Sequence, residues 1–338
     1  MKAIEIAKAG EIKIVERPLP EVGSGDVLLK VKYVGFCGSD LSTFLGKNPM
    51  VTYPRIPGHE ISAEIVTLGN QVPDSLAIGQ NVTVVPYTHC GQCTSCKQKR
   101  YNACRYNQTL GVQRDGAMSE FIAVPWEKVL VANALNAIQL ALVEPLTVGF
   151  HAIDNARVTD SDTVMVFGCG MIGAGAIVRA ARRGAIVIAV DIDDEKLTVA
   201  KQLGADFTIN SRTQDLHDEV QSMTHGDGPS VAVEAAGDPH TYRSAIEEVA
   251  FAGRVVCIGY AGTDVPIPTK LWVQKELEIM GSRNANPADF EAVIKYLSKT
   301  SPNLDLLVSK VVTVQKAGLM MKTWAESPGS LLKILVQF

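Results

Sequence analysis

The run Val166-Phe167-Gly168-Cys169-Gly170-Met171-Ile172-Gly173 constrains this chain more than any other feature, because an apolar, strand-like segment breaks on a G-x-G-x-x-G turn and continues into an alanine-rich helix. A strand that hands over directly to a helix needs a tight turn, and the three glycines divide the work. Gly168 permits the turn, Gly170 lets the backbone approach an anion, and Gly173 lets helix and strand pack closely. Met171 and Ile172 then open a helix whose N-terminal N–H groups face a pyrophosphate. Asp191 ends the following apolar run, AIVIAVD, 18 residues after Gly173. Its carboxylate is suited to accept hydrogen bonds from a ribose 2′-hydroxyl and to repel a 2′-phosphate, which favours NAD over NADP. A glycine pattern alone is weak. The strand before it, the helix after it and the acid at this distance together make the reading.

The surrounding texture agrees. From Asp162 onward, short apolar runs alternate with helical ones: TVMVFG, the glycine turn and its helix, AIVIAVD, EKLTVAKQLGA, FTIN, then VAVEAAG, RVVCIGY and ELEIMGS. That order predicts an α/β fold with a doubly wound parallel sheet and right-handed crossovers. The first 35 residues read differently. KAIEI, EIKIVE and DVLLKVKYVG are alternating or β-branched runs punctuated by Pro18, Pro20, Gly23 and Gly25, and the texture returns at ISAEIVTLG, QNVTVVP and SEFIAV. This half predicts a β-rich barrel or sandwich. Longer helical segments begin near residue 135, and the tail after about residue 290 mixes a helix with a terminal strand, LLKILVQF.

At 338 residues the chain exceeds one ordinary domain, and 46% hydrophobic with 20% charged residues suits a globular protein with a sizeable core. Thirty-two basic against 36 acidic residues lack the basic excess that a nucleic-acid partner calls for. The first twenty residues carry charges every few positions and no apolar signal core, and the stretch Val164 to Val178 is too short and too glycine-broken to span a bilayer. The expectation is a soluble cytoplasmic protein with neither membrane nor nucleic acid as partner.

Seven cysteines are too sparse for a disulfide scaffold, yet four crowd together as Cys90-x2-Cys93-x2-Cys96-x7-Cys104, set among polar turn residues. Four soft thiolates close a tetrahedral zinc site and leave no position for substrate, so the expected role is structural. An iron–sulfur cluster uses the same ligand type and is the rival occupant. A third constellation is dispersed: Cys37 in GFCGSDL, His59 and Glu60 in PRIPGHEI, and Glu144 in LVEPLTVGFHA. Each alone is ordinary, and their spacing does not show that they meet.

The order of these pieces, Cys37-Gly38-Ser39-Asp40, Gly58-His59-Glu60, the four-cysteine lobe, Glu144-Pro145 and the glycine fingerprint, resembles the zinc-dependent medium-chain dehydrogenases along the whole chain. Within that superfamily, Gly-His-Glu paired with Glu-Pro resembles the polyol (sorbitol) and threonine dehydrogenase branch. Simple alcohol dehydrogenases place a cysteine where Glu144 stands.

The resemblance implies a GroES-like catalytic domain, residues 1–145 with 285–338, wrapped around a Rossmann NAD-binding domain of residues 146–284, with the active site in the cleft between them. It implies two zinc ions per chain: a catalytic one on Cys37 and His59, with Glu60 a direct or exchanging ligand and Glu144 bound directly or through water, and a structural one on the four-cysteine lobe. Ser39 matches the hydroxyl that passes the alcohol proton outward. The relay histidine of many members would fall at Ser42, so the exit beyond Ser39 departs from the pattern. His151 and Arg283 are secondary candidates, and Phe44, Arg55 and Trp272 either line the pocket or pack. The implied activity is a zinc- and NAD-dependent oxidoreductase that interconverts a secondary alcohol (a polyol, sugar acid or hydroxy amino acid) and its ketone in a homodimer or homotetramer. The rivals are a zinc-independent reductase of the same architecture and a non-catalytic zinc-binding protein.

Overall fold

The computed structural model of the protein describes residues 1–299, 306–329 and 331–338. The chain divides into two compact units, Met1–Glu144 with Asn286–Phe338, and Pro145–Ala285.

The first unit is built on antiparallel pairing, with one parallel pair, Lys310–Thr313 beside Ile334–Gln337. Lys2–Lys8 and Glu11–Glu16 form a two-stranded sheet, as the alternating N-terminal runs suggest. A seven-stranded sheet runs in the order Lys310–Thr313, Ile334–Gln337, Asp26–Phe36, Glu60–Leu68, Asn81–Val84, Val129–Val131, with Phe121–Pro125 also paired to Asp26–Phe36. Along Asp26–Phe36 the alternation Val27, Leu29, Val31 points one face inward while Lys30 stays exposed. Past Val34 the pattern changes, and Gly35 and Phe36 are both buried. Gly35 pairs with Glu60, and Phe36 pairs with Ile334 of the terminal strand. The central strand thus ends where three distant chain segments converge.

The second unit is a six-stranded parallel sheet in the spatial order Phe207–Asn210, Ile186–Asp191, Thr163–Phe167, Val231–Glu234, Arg254–Cys257, Glu278–Gly281. Its inner strands Ile186–Asp191, Thr163–Phe167 and Val231–Glu234 are buried on both faces, which is why they read as continuous apolar runs rather than alternating ones. Three crossover helices start on aspartate caps: Asp193 accepts from Glu195 and Lys196 N–H, Asp215 from Asp218 N–H, and Asp238 from His240 N–H. The strand order reverses between Thr163–Phe167 and Val231–Glu234, so the turn at Gly168 leaves the sheet at its switch point.

The helix that follows the turn, Met171–Arg182, is seated by direct backbone contact with the helix Ala137–Asn155. A Cβ on Gly149 would lie 2.3 Å from Ala176 N, and one on Gly175 would lie 2.6 Å from Leu146 O. No side chain fits between these helices. Alanine at position 149 should therefore lower stability, because pushing two backbones apart costs about 1–3 kcal/mol and exceeds the ~1 kcal/mol that alanine gains over glycine within a helix. Denaturant unfolding of Gly149→Ala is expected to show that loss, and a midpoint at or above the wild-type value would contradict the close-packed seat.

Candidate functional site

Two groups of potential metal ligands stand among the described residues, Cys37/His59/Glu60 and Cys90/Cys93/Cys96/Cys104, each with ligand atoms within 4.8 Å of one another. In the lobe, the Cys90 and Cys96 sulfurs are 4.0 Å apart and those of Cys93 and Cys104 are 3.8 Å apart. A tetrahedral zinc with Zn–S bonds of ~2.3 Å requires sulfur separations of about 3.8 Å, so these two pairs already stand close to the edge length of that tetrahedron. The backbone supports anionic sulfur. Cys90 N–H donates to Cys104 Sγ at 3.3 Å, Cys93 N–H to Cys90 Sγ at 3.4 Å and Tyr106 N–H to Cys104 Sγ at 3.3 Å. The Ser95 hydroxyl, 3.1 Å from Cys93 Sγ, and nearby backbone N–H groups draw the Cys93 thiol down to about 5, while burial pushes Cys96 up to about 11. The short helix Thr94–Lys97 and the turn Tyr101–Ala103 supply little apolar surface of their own. A metal bound by the four thiols would supply the cohesion that this part of the chain lacks in apolar packing.

The second group is assembled from non-local pieces. Cys37 follows the central strand and caps the helix Gly38–Phe44, where Asp40 accepts the Cys37 N–H at 2.9 Å. His59 and Glu60 open the strand Glu60–Leu68. They follow Gly58, whose φ of +101° and tight neighbours, Val34 and Met118, exclude a side chain. His59 and Glu60 are 4% and 0% exposed. Glu60 gives one oxygen to the Lys333 ammonium, and its other oxygen and His59 Nδ1 are buried without a hydrogen-bond partner among the described residues. Glu144, 4% exposed, lies outside the 4.8 Å group and accepts the Tyr87 hydroxyl. Phe290 of the helix Pro287–Lys299 meets the Tyr87 ring edge-on.

The electrostatics of this pocket call for a cation. Burial works against a charged His59, yet the negative charges of Cys37, Glu144 and Asp40 outweigh it and hold the imidazole well above its ordinary range. Glu60 is pushed up to about 7 by burial and by Glu144, with Lys333 and His59 opposing. Tyr87 is raised by burial and by the Glu144 charge. A soft thiolate, an imidazole and a carboxylate oxygen gathered in one buried pocket form a donor set of the kind that suits zinc.

In the second unit, Gly168 has a φ of +86° and a Cβ on Gly173 would lie 1.8 Å from Gly168 O, so both glycines are required by the turn. Gly170 caps Met171–Arg182 without a side-chain bond, and a Cβ there would meet open space. The helix N-terminus is therefore accessible to an anion. Asp191 is fixed beside the turn: Oδ2 accepts Cys169 N–H at 2.7 Å, and Oδ1 accepts the N–H groups of Ile192 and Asp193 at 2.7 and 3.1 Å.

The remaining sequence candidates divide. Ser39 Oγ is buried without a partner among the described residues, and Ser42 lies in the same helix. Phe44 belongs to the first unit's core, Arg55 pairs with Asp115 at 2.9 Å, and the Trp272 indole donates to Leu277 O at 2.8 Å. His151 is buried beside Asn155, with Nε2 3.1 Å from Nδ2, and Arg283 follows the strand Glu278–Gly281. Lys333 and Tyr87 escaped the sequence reading. A solitary lysine within LLKILVQF was the available signal for Lys333.

Comparison with known proteins places these features in a family. Residues 172–299 match the zinc-binding dehydrogenase family, and residues 23–134 match the alcohol dehydrogenase GroES-like domain. A zinc-type alcohol dehydrogenase-like protein of Haemophilus influenzae is 34% identical over 100% of this chain and 99% of its own length. The chain belongs to the zinc-containing medium-chain dehydrogenases. The sorbitol dehydrogenase of Bacillus subtilis is 32% identical over 99% of this chain and 97% of its own. Among solved structures, a protein of Escherichia coli CFT073 described as a short chain alcohol dehydrogenase and complexed with NADH superimposes with a TM-score of 0.91. It is 31% identical and covers 100% of this chain and 99% of its own. The protein is thus an oxidoreductase of the alcohol dehydrogenase type, with a GroES-like unit and a Rossmann-like parallel sheet. No helix among the described residues is long and apolar enough to cross a membrane.

Metal analysis of the purified wild type should find two zinc ions per chain. Cys93→Ser should retain one and melt at a lower temperature, and a variant that keeps both metals and the wild-type melting temperature would contradict the structural role of the lobe.

Proposed function

We propose that this dehydrogenase uses zinc and NAD to oxidise a secondary hydroxyl of a polyhydroxylated substrate to the ketone. The observation that carries the reading is the Cys37/His59/Glu60 group, half-buried at the cysteine and buried at the other two, with a second carboxylate, Glu144, held nearby by Tyr87. The same group speaks against the zinc-independent and non-catalytic alternatives, neither of which needs a thiol, an imidazole and carboxylates gathered together. Similarity to a sorbitol dehydrogenase points the same way.

The balance is one secondary alcohol and NAD⁺ converted to one ketone, NADH and a proton. When bound, zinc supplies the Lewis acidity that makes the hydroxyl acidic and NAD supplies the hydride acceptor. The chain does the rest. Cys37 and His59 would provide the donor atoms for the metal, with Glu60 as a further oxygen. Ser39 Oγ would pass the hydroxyl proton outward. A carboxylate at position 144, in place of a thiolate, would make a bound metal more electrophilic and suit a substrate that presents two neighbouring oxygens. Vicinal diols, sugar acids and β-hydroxy amino acids present such pairs, and ethanol does not. Gly168, Gly170 and the helix from Met171 would hold the pyrophosphate, and Asp191 would accept from the adenosine ribose.

Initial rates of NADH formation across polyols, sugar acids, hydroxy amino acids and ethanol test the substrate class. The best vicinally hydroxylated compound should exceed ethanol by about 100-fold or more in kcat/KM, since a site built for a polar group rejects analogues that lack it. Efficient ethanol oxidation with no activity on any member of the panel would contradict the reading. His59→Ala should abolish turnover while NADH binding persists, because residues 168–191 belong to the other unit.

Cofactor choice rests on Asp191. Asp191→Ser should narrow the NAD-to-NADP preference in kcat/KM by about tenfold, or 1.4 kcal/mol. A wild type that prefers NADP would overturn this assignment.

A further inference from the structure

Lys333 is 4% exposed, one residue before the terminal strand Ile334–Gln337, and nothing in the reaction as described above employs it. Its ammonium donates to Phe36 O at 3.1 Å and to Glu60 Oε1. These contacts link three segments. Phe36 immediately precedes Cys37, Glu60 immediately follows His59, and the lysine comes from the far end of the chain. The register accounts for the convergence, since Ile334 pairs with Phe36 and Gly35 pairs with Glu60.

The Glu60 carboxylate is held from two sides. Lys333 occupies Oε1, while Oε2 lies over Gly35, where a Cβ would come within 1.8 Å of it. Oε2 is buried and has no hydrogen-bond partner among the described residues, although Glu60 presents an oxygen within 4.8 Å of the Cys37 and His59 ligand atoms. A buried carboxylate oxygen left bare is costly unless a cation or a donor completes it.

Resting on the proposed zinc chemistry, we propose that Lys333 is the positioning residue of the catalytic metal centre: it ties down Oε1 so that Oε2 alone is offered to the metal, and it offsets part of the buried charge. Cys37 as thiolate, Asp40, Glu60 and Glu144 gather acidic groups here, Asp40 with Oδ2 bonded to the Cys37 N–H; a dication offsets part of their charge, and Lys333 sets one more positive charge against it. Without the lysine, Glu60 would be free to rotate, to bind through both oxygens or to leave the metal, and the pocket would lose that positive charge.

The test uses the zinc-loaded enzyme and its cobalt-substituted form. Zinc release to the chelator 4-(2-pyridylazo)resorcinol is followed for the wild type, K333R, K333M, E60Q and the double variant K333M/E60Q, and the visible d–d spectrum of cobalt in the non-lobe site is recorded for each. In K333M, release from that site should quicken by about tenfold or more, the range found when a residue holding a metal ligand is lost. The cobalt bands should shift while release from the cysteine lobe stays unchanged. K333R, which keeps the charge and a donor, should recover most of both. In the E60Q background K333M should add little. Wild-type release and spectrum in K333M would overturn the proposal, as would an undiminished K333M effect in E60Q. If K333M fails to fold alone, rescue by E60Q supports the coupling, and failure in both backgrounds overturns it. A wild type that binds metal only in the cysteine lobe would instead contradict the proposed function, before any variant is compared.

Discussion

The structure of the first unit turns on a concentration of charge carried by buried side chains. Glu60, Glu144, Asp40, His59 and Lys333 are all buried around Cys37. Leaving several anions uncompensated there would cost several kcal/mol each. Two compensations are built in, the Lys333 ammonium and a donor set suited to a metal dication, and the surrounding backbone is arranged to make both possible. Position 35, one residue before the end of the central strand, is glycine because Glu60 fills the space a side chain would need, and Gly58 adopts a left-handed conformation so that His59 and Glu60 enter the pocket consecutively. Fold and chemistry are here one constraint. The β-sheet brings the ends of three strands together, and the charges gathered at that junction require a cation.

The second unit solves a different problem by local means. Its glycine turn, its helix N-terminus and Asp191 lie within 24 residues of sequence, from Gly168 to Asp191, and each is positioned by its immediate neighbours. The close seat of the helix Met171–Arg182 against Gly149 keeps the free N–H groups at the sheet's switch point. The cysteine lobe is equally local, with four thiols and the N–H groups that support them drawn from residues 90–106. A zinc at the lobe would shape the chain without touching substrate.

This contrast explains what was legible in the sequence. The dinucleotide turn and the four-cysteine lobe could be read from spacing because the residues that act together are neighbours in the chain. The parallel sheet was readable for a related reason, since strands buried on both faces leave continuous apolar runs. Cys37, His59 and Glu60 acquired meaning only through resemblance to a family, because their approach depends on strand pairing that no local pattern encodes. Lys333 and Tyr87 stayed hidden for the same reason. Each acts on a carboxylate far away in sequence, and only the register of Ile334 with Phe36, or the packing of Phe290 on Tyr87, brings them there. Arg55 and Trp272, open candidates in the sequence, prove to be engaged in an ion pair and a backbone hydrogen bond, while Phe44 is core.

The central claim is that one chain holds two zinc ions in two chemically different settings. X-ray diffraction from crystals of the purified enzyme, recorded above and below the zinc absorption edge, tests it most directly. The account predicts two anomalous peaks per chain, one enclosed by the sulfurs of Cys90, Cys93, Cys96 and Cys104, the other bonded to Cys37 and His59 with a Glu60 oxygen beside it. A zinc-replete crystal with no peak at Cys37 and His59, or with a peak there that neither residue ligates, would contradict it.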